Sequence, residues 1–419
     1  ARAIENQCFV VEKVGSRLSA GRVQSVALRI IVEREHQIRK FIPQEYWQVA
    51  VDLTKEGFDT ILTASLEKMD GKKCELHSET ETEKVVADLK SSQYVVSDIT
   101  QRQVKRKASP PLITSTLQQE AFNKLKFNSS RTMMIAQQLY EGIGLDDGET
   151  VGLITYMRTD SVNISKDAIE KVRGFIGKTY GKKYLPETPN QYKSKKSAQE
   201  AHEAIRPSDV LRQPKDIRKF LSDEQYKLYT LIWNRFVSSQ VVPSVHEYKK
   251  LEIVAGKYQL GASGSTLIFD GFLAVDDVSR EEESKIDFSH YAKDDQLNLR
   301  EVKPTQHFTK PPPRYSDASL VKALEEDGIG RPSTYASIIR TLVMRNYIVR
   351  ERGYLGPTEL GILICELLIK YFAKIMDLRF TAKMEDNLDL VEEGKLTVPD
   401  LLEEFYKPFK EELDLAEAS

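Results

Sequence analysis

Apolar positions recur at helical spacing along SAGRVQSVALRIIVEREHQIRK, where Val23, Ala27, Ile30, Ile31 and Ile38 share one side and charged residues take the other. The spacing predicts an amphipathic helix within 18–40, led in by a Ser-Ala-Gly-Arg turn and closed by Pro43. The period then changes to two. WQVAVDL, DTILTASL and QYVVSDITQRQV, and later YKKLEIVAG and TLIFDGFLAV, read as strands of alternating polarity. Between these groups, 111–241 is helical in pattern, as in STLQQEAFNKLKF, SRTMMIAQQLYEG and DEQYKLYTLIWNRFVSSQ. A β domain interrupted by a helical insertion is expected, with proline-marked joins at Ser109-Pro110-Pro111 and Val242-Pro243-Ser244.

After the stiff Lys310-Pro311-Pro312-Pro313 spacer comes SLVKALEEDGIGRPSTYASIIRTLVMRNYIVRERGYLGPTELG. Its order of helix, glycine turn, helix and two short strands joined at Glu351-Arg352-Gly353 is that of a helix-turn-helix with a β wing. Pro332 suits the first turn of the second helix. The expected fold class is multidomain α+β: 1–40 opens a helical base, 41–110 begins a β arch, 111–241 is the insertion, 242–302 completes the arch and 303–419 completes the base.

At 419 residues and 40% hydrophobic, the chain can bury roughly two to four cores. It shows no apolar run long enough for a membrane span, and its opening stretch lacks the apolar centre of a secretion signal, so a cytoplasmic protein is expected. Cys8, Cys74 and Cys365 are too scattered to start a zinc site or a disulfide framework and read as structural thiols. A formal net charge of -2 does not advertise a nucleic-acid partner, so such a partner must meet local patches. Residues 303–356 form one, with nine Lys/Arg against five Asp/Glu and interleaved Tyr315, Tyr335 and Tyr347.

Chemistry concentrates in GLITYMRTDS. Read as a strand, it places Tyr156, Arg158 and Asp160 on one face. A phenolate can attack a phosphodiester while a guanidinium matches the charge and fork of the phosphate oxygens. The bland reading is a buried tyrosine beside a surface Arg/Asp pair. Two tempting motifs fail. His202-Glu203 is followed by Arg206 where a zinc protease box needs histidine, and GFIGKTY has Val172 where a phosphate loop needs glycine, leaving Lys178 a solvated charge.

GLITYMRTDS resembles the active-site signature of bacterial type IA DNA topoisomerases, and SAGRVQS, AHEAIRPSD and GIGRPSTYASII match the same family in the same order. The resemblance covers nearly the whole chain apart from an unfamiliar opening stretch. It implies a toroidal gate, with Tyr156 linked to the 5′-phosphate of a cut strand, Arg158 positioning the scissile phosphate, His202 supporting that site and Asp160 behind them. It implies that Arg22, Gln24, Ser25, Arg331, Ser333 and Thr334 lie along a single-strand groove. Strand cleavage, passage and religation would relax negative supercoils in the cytoplasmic nucleoid.

Relatives also carry a Toprim domain whose D-x-D cluster holds Mg²⁺; no aspartates here have that spacing, so the metal is expected from that domain and none from this chain. The isolated chain is then expected not to relax DNA. Two other readings remain open: a non-catalytic winged-helix single-stranded DNA-binding protein, and, more distantly, a tyrosine recombinase, whose tyrosine should lie near the C-terminus rather than before His202.

Overall fold

The computed structural model describes residues 20–145, 148, 150–193, 202–276 and 288–417; Cys8, Ser19 and Ala201 lie outside them. Helix α1 (Arg22–Lys40) buries Val26, Ala27, Leu28, Ile30, Ile31 and Val32, and ends on Arg39 and Lys40, which favour the carbonyl end of the helix dipole. The chain then forms β1 (Glu45–Lys55), β2 (Leu62–Met69), β3 (Lys72–Lys73), α2 (Glu79–Ser91) and β4 (Tyr94–Arg106). The insertion follows, with α3 (Thr114–Glu120), a π-helical turn over Ala121–Leu125, α4 (Ser129–Glu141), the short hairpin of β5 (Ile143–Gly144) and β6 (Thr150–Val151), α5 (Lys166–Thr179) and α6 (Asp223–Ser239). The chain returns through β7 (Ser244–Ala255), β8 (Tyr258–Phe269) and β9 (Gln296–Phe308). It ends in α7 (Asp317–Glu326), α8 (Tyr335–Met344), β10 (Ile348–Glu351), β11 (Tyr354–Pro357), α9 (Glu359–Tyr371), α10 (Leu378–Glu392) and α11 (Val398–Glu417).

Six antiparallel strands close on themselves in the order β1, β9, β4, β7, β8, β2, with β2 pairing back to β1 from Ala50↔Ser65 to Leu53↔Leu62. The closure is confined to one end. There β9 meets β4 at only Tyr94↔Leu297 and Val95↔Gln296. Beyond it two legs diverge. One is β1 with β9, paired as far as Glu45↔Phe308, and it leads to the base. The other is β4 with β7 and β8, paired as far as Arg106↔Ser244, and it leads to the insertion.

Three separate cores follow this plan. Leu117, Leu139, Phe175, Trp233 and Phe236 fill the insertion. Val26, Ile31, Leu320, Ile339, Ile348 and Cys365 unite α1 with the winged helix. Val51, Leu53, Tyr94, Leu251 and Leu260 fill the closed end of the sheet. Burial pushes the Cys365 thiol up to about 12, as suits a structural cysteine.

Several expectations need correction. Strand β9 runs past the boundary read at residue 302. TLIFDGFLAV is strand only to Phe269, because Gly271 turns at φ +50 and Gly271–Ala274 forms a 3-10 turn. Pro332 lies in the turn before α8, whose helical bonding starts at Tyr335. GFIGKT falls inside α5, with Lys178 exposed, which removes any phosphate loop. The wing turn is as read, with Arg352 at φ 51 and Gly353 at φ 86 serving a two-residue hairpin.

Candidate active site

The strand expected for GLITYMRTDS is absent, although its alternation survives: Met157, Thr159 and Ser161 are buried, while Tyr156 and Arg158 are exposed. The backbone finds other partners. Thr155 N donates to Arg206 O at 2.9 Å, Ser208 N to Leu153 O at 2.9 Å, and Leu153 N to Leu139 O at 2.7 Å. Thr114 does the rest from the start of α3. Its hydroxyl donates to Met157 O at 2.8 Å and accepts from Thr159 N at 2.8 Å. The segment is thus pinned on both sides of Tyr156 without a ladder, with only isolated bridges such as Ile154↔Pro207 beside it.

Tyr156 is 45% exposed. Its ring stands edge-on to Tyr140 at 5.4 Å, and the two line a cleft of about 300 Å³ with Thr155, Thr159, His202 and Glu203. Glu203 is occupied structurally, accepting from Ser165 N at 2.7 Å and from Arg206 Nη2 at 2.5 Å. Arg158 does not line the cleft; among the described residues it is exposed and makes no hydrogen bond or ion pair. Burial raises the Asp160 carboxyl above its ordinary value, and Asp389 pushes the same way, while its own backbone N–H, His202 and Arg331 pull it down. Asp160 therefore lies within electrostatic range of Asp389 and Arg331 of the base.

Of the residues assigned to a strand groove, Arg22 and Arg331 are held by α10. Arg22 donates to Thr381 O at 3.2 Å and pairs with Glu385. Arg331 donates to Asp389 at 2.7 and 3.0 Å, to Asp386 at 3.0 Å, and to the carbonyls of Gly328 and Gly330. Thr334 closes the turn by accepting from Arg331 N at 2.8 Å. Ser333 is exposed, Ser25 is buried, and Gln24 lines a narrow pocket with Ser25 and Arg345. Tyr140 and the α10 carboxylates went unread in the sequence. Tyr140 is one residue of an ordinary amphipathic helix, and the carboxylates lie more than fifty positions from Arg331.

Among the described residues no three His, Cys, Asp or Glu side chains converge where they could hold a metal ion. An exposed phenol beside an imidazole, on a backbone hydrogen-bonded on both sides, suits covalent attack.

The sequence profile of the DNA topoisomerase family matches residues 5–403, so the match reaches into the opening stretch that looked unfamiliar. DNA topoisomerase 1 from each of two Xylella fastidiosa strains is 44% identical over 413 residues, which is 95% of this chain and 50% of the relative. The structure of full-length topoisomerase I from Thermotoga maritima superposes with a TM-score of 0.83 at 38% identity, over 96% of this chain and 64% of that one. The chain spans about half the length of the curated relatives it matches. With the family profile across almost all of it and a relative's fold beneath it, the chain belongs to the bacterial type IA DNA topoisomerases.

Proposed function

We propose that this chain cuts and rejoins one DNA strand through Tyr156, as the strand-cleaving part of an enzyme that relaxes negative supercoils. The observation that carries the reading is the exposed Tyr156 sharing its cleft with His202. In the forward step the tyrosine oxygen bonds to phosphorus, the bond from phosphorus to the 3′ oxygen breaks, and that oxygen takes up a proton. His202, which lines the same cleft, would relay it. Arg158, with no carboxylate to hold it among the described residues, would take the phosphate oxygens, and Asp160 would set the charge behind His202. Religation is the reverse. The phosphotyrosine keeps the energy of the broken ester, so no nucleotide is required.

Strand passage needs a gap, and the architecture supplies a hinge. The legs share hydrogen bonds only at the closed end of the sheet, so their far ends can separate with the helices they carry. Those helices meet where α3 packs on α7 and Ser129 N donates to Asp317. Ser115 Oγ, both amide atoms of Gln118 and Ser129 Oγ are buried and make no hydrogen bond among the described residues. Single-stranded DNA is the partner this reading requires, met by Arg22, Gln24, Ser25, Arg331, Ser333 and Thr334 as well as the cleft.

A Toprim domain bringing Mg²⁺, and a place in the nucleoid, belong to the same proposal. That ion would act from the Toprim domain, and among the described residues no three His, Cys, Asp or Glu side chains stand together to hold it. Among the described residues no helix is long and apolar enough to cross a membrane. The test is a covalent protein–DNA adduct in the full-length protein that depends on the Tyr156 hydroxyl.

A further inference from the structure

Hydrogen bonds hold the backbone on both sides of Tyr156, but they leave its side chain free to turn. An exposed side chain ordinarily moves among its rotamers within nanoseconds, and only some of those directions bring a phenol oxygen in line with a phosphate. Tyr156 is 45% exposed, and among the described residues its hydroxyl makes no hydrogen bond. The ring that meets it is Tyr140, edge-on, with centroids 5.4 Å apart and planes at 64°.

Tyr140 is the better held of the two. It lies in the last turn of α4, where a helical backbone excludes one of the three χ1 wells. The same turn carries the tyrosine segment itself. Leu153 N donates to Leu139 O at 2.7 Å, and Gly152 packs so closely that a Cβ there would stand 2.7 Å from Tyr140 O. The backbone leading to Tyr156 and the ring that meets Tyr156 therefore rest on one helical turn. Tyr140 is itself 40% exposed, too open to serve mainly as core, and its hydroxyl makes no hydrogen bond among the described residues.

We infer that Tyr140 is a positioning residue for strand cleavage, whose ring confines the Tyr156 phenol to the cleft it shares with His202. It acts through Tyr156 and not on the phosphate. The positive edge of one ring against the negative face of the other favours this arrangement over a ring turned away by about 2- to 13-fold. Misplacing an attacking oxygen by an ångström slows a reaction by as much as about 100-fold, so the contact matters more to rate than to binding.

The inference rests on Tyr156 being the nucleophile, and the experiment separates the two. Adduct formation on a labelled single-stranded oligonucleotide is followed in a single turnover of the full-length protein, at saturating strand, and affinity is measured by fluorescence anisotropy. Tyr140→Leu, a good helix former that lacks the ring, should slow adduct formation about 10-fold and leave the Kd within about 2-fold. Tyr140→Phe keeps the ring and should restore most of the rate. Gly152→Ala tests the same contact without altering either ring: its Cβ must push the segment off Tyr140 O, so it too should slow the reaction at unchanged Kd. A wild-type rate in both Tyr140→Leu and Gly152→Ala, or a Tyr140→Phe variant as slow as Tyr140→Leu, would overturn the inference. So would a Tyr140→Leu defect that disappears at higher strand concentration, since Tyr140 would then be a platform for a base. Any of these with a normal adduct in the unsubstituted protein refutes only the role of Tyr140, whereas no adduct in the unsubstituted protein refutes the functional reading.

Discussion

Asp317, wholly buried at the start of α7 in the base, accepts the backbone N–H of Ser129 at the start of α4 in the insertion, at 3.3 Å. Arg350 clamps the same carboxylate from the wing at 2.8 and 3.0 Å. One carboxylate thus bridges the two bodies that the proposed strand passage would separate. Asp317→Ala should cost about 1–3 kcal/mol in a denaturant titration, the range for a lost charged hydrogen bond whose partner can reach water. It should also speed hydrogen exchange at the Ser129 amide. Unchanged exchange there would place the hold on the seam elsewhere.

Acid should act on two carboxylates in opposite senses. Arg314, donating at 2.8 and 3.0 Å, holds the Glu35 carboxyl below its ordinary value of 4.5 against the opposing effect of burial. Its folded pKa is depressed, so its contribution is present above 4.5 and lost as pH falls through the lower folded value. Asp160 is the reverse. Its raised folded pKa gives a contribution present below 3.8 and lost as pH rises through the folded value. Urea titrations from pH 3 to 8 should show Glu35→Gln least stable relative to the parent near neutrality, and Asp160→Asn slightly more stable than the parent there. The Asp160→Asn difference should fade in acid. A Glu35→Gln deficit that grows toward low pH would contradict the sign.

Arg331 carries two carboxylates where a strand phosphate is proposed to bind. Asp389→Asn should therefore raise single-strand affinity, because a competitor for the guanidinium is removed. Arg331→Ala should weaken binding and flatten the salt slope by roughly one unit. Weaker binding by Asp389→Asn at unchanged stability would instead make Asp389 the group that orients Arg331.

The sequence was most legible where local pattern and tertiary burial agree. Helix α1 has one apolar face that the base buries, and the wing turn needs the positive φ that Arg352-Gly353 adopts. Strand β9 was not read from the sequence; it carries Pro304 opposite Val49 of β1, at a place where β9 has no second neighbour, and such an edge position tolerates proline. The tyrosine segment misled in another way. Period-two burial looks like a strand, but Thr114 and the Ala204 to Ser208 backbone take its hydrogen bonds, and neither signals itself in GLITYMRTDS. Resemblance could name Tyr156 and His202 but not the geometry of their cleft. It could not show that Arg22 and Arg331 are both held by α10.

The covalent adduct tests the central claim most directly. Full-length protein is mixed with an end-labelled single-stranded oligonucleotide, quenched with denaturant, and run on a denaturing gel beside its Tyr156→Phe variant. The unsubstituted protein should carry label through a 5′-phosphotyrosine. Tyr156→Phe, lacking only the nucleophilic oxygen, should carry none while binding the strand about as well in a native assay. A normal adduct yield from Tyr156→Phe would remove Tyr156 from the chemistry and contradict the account.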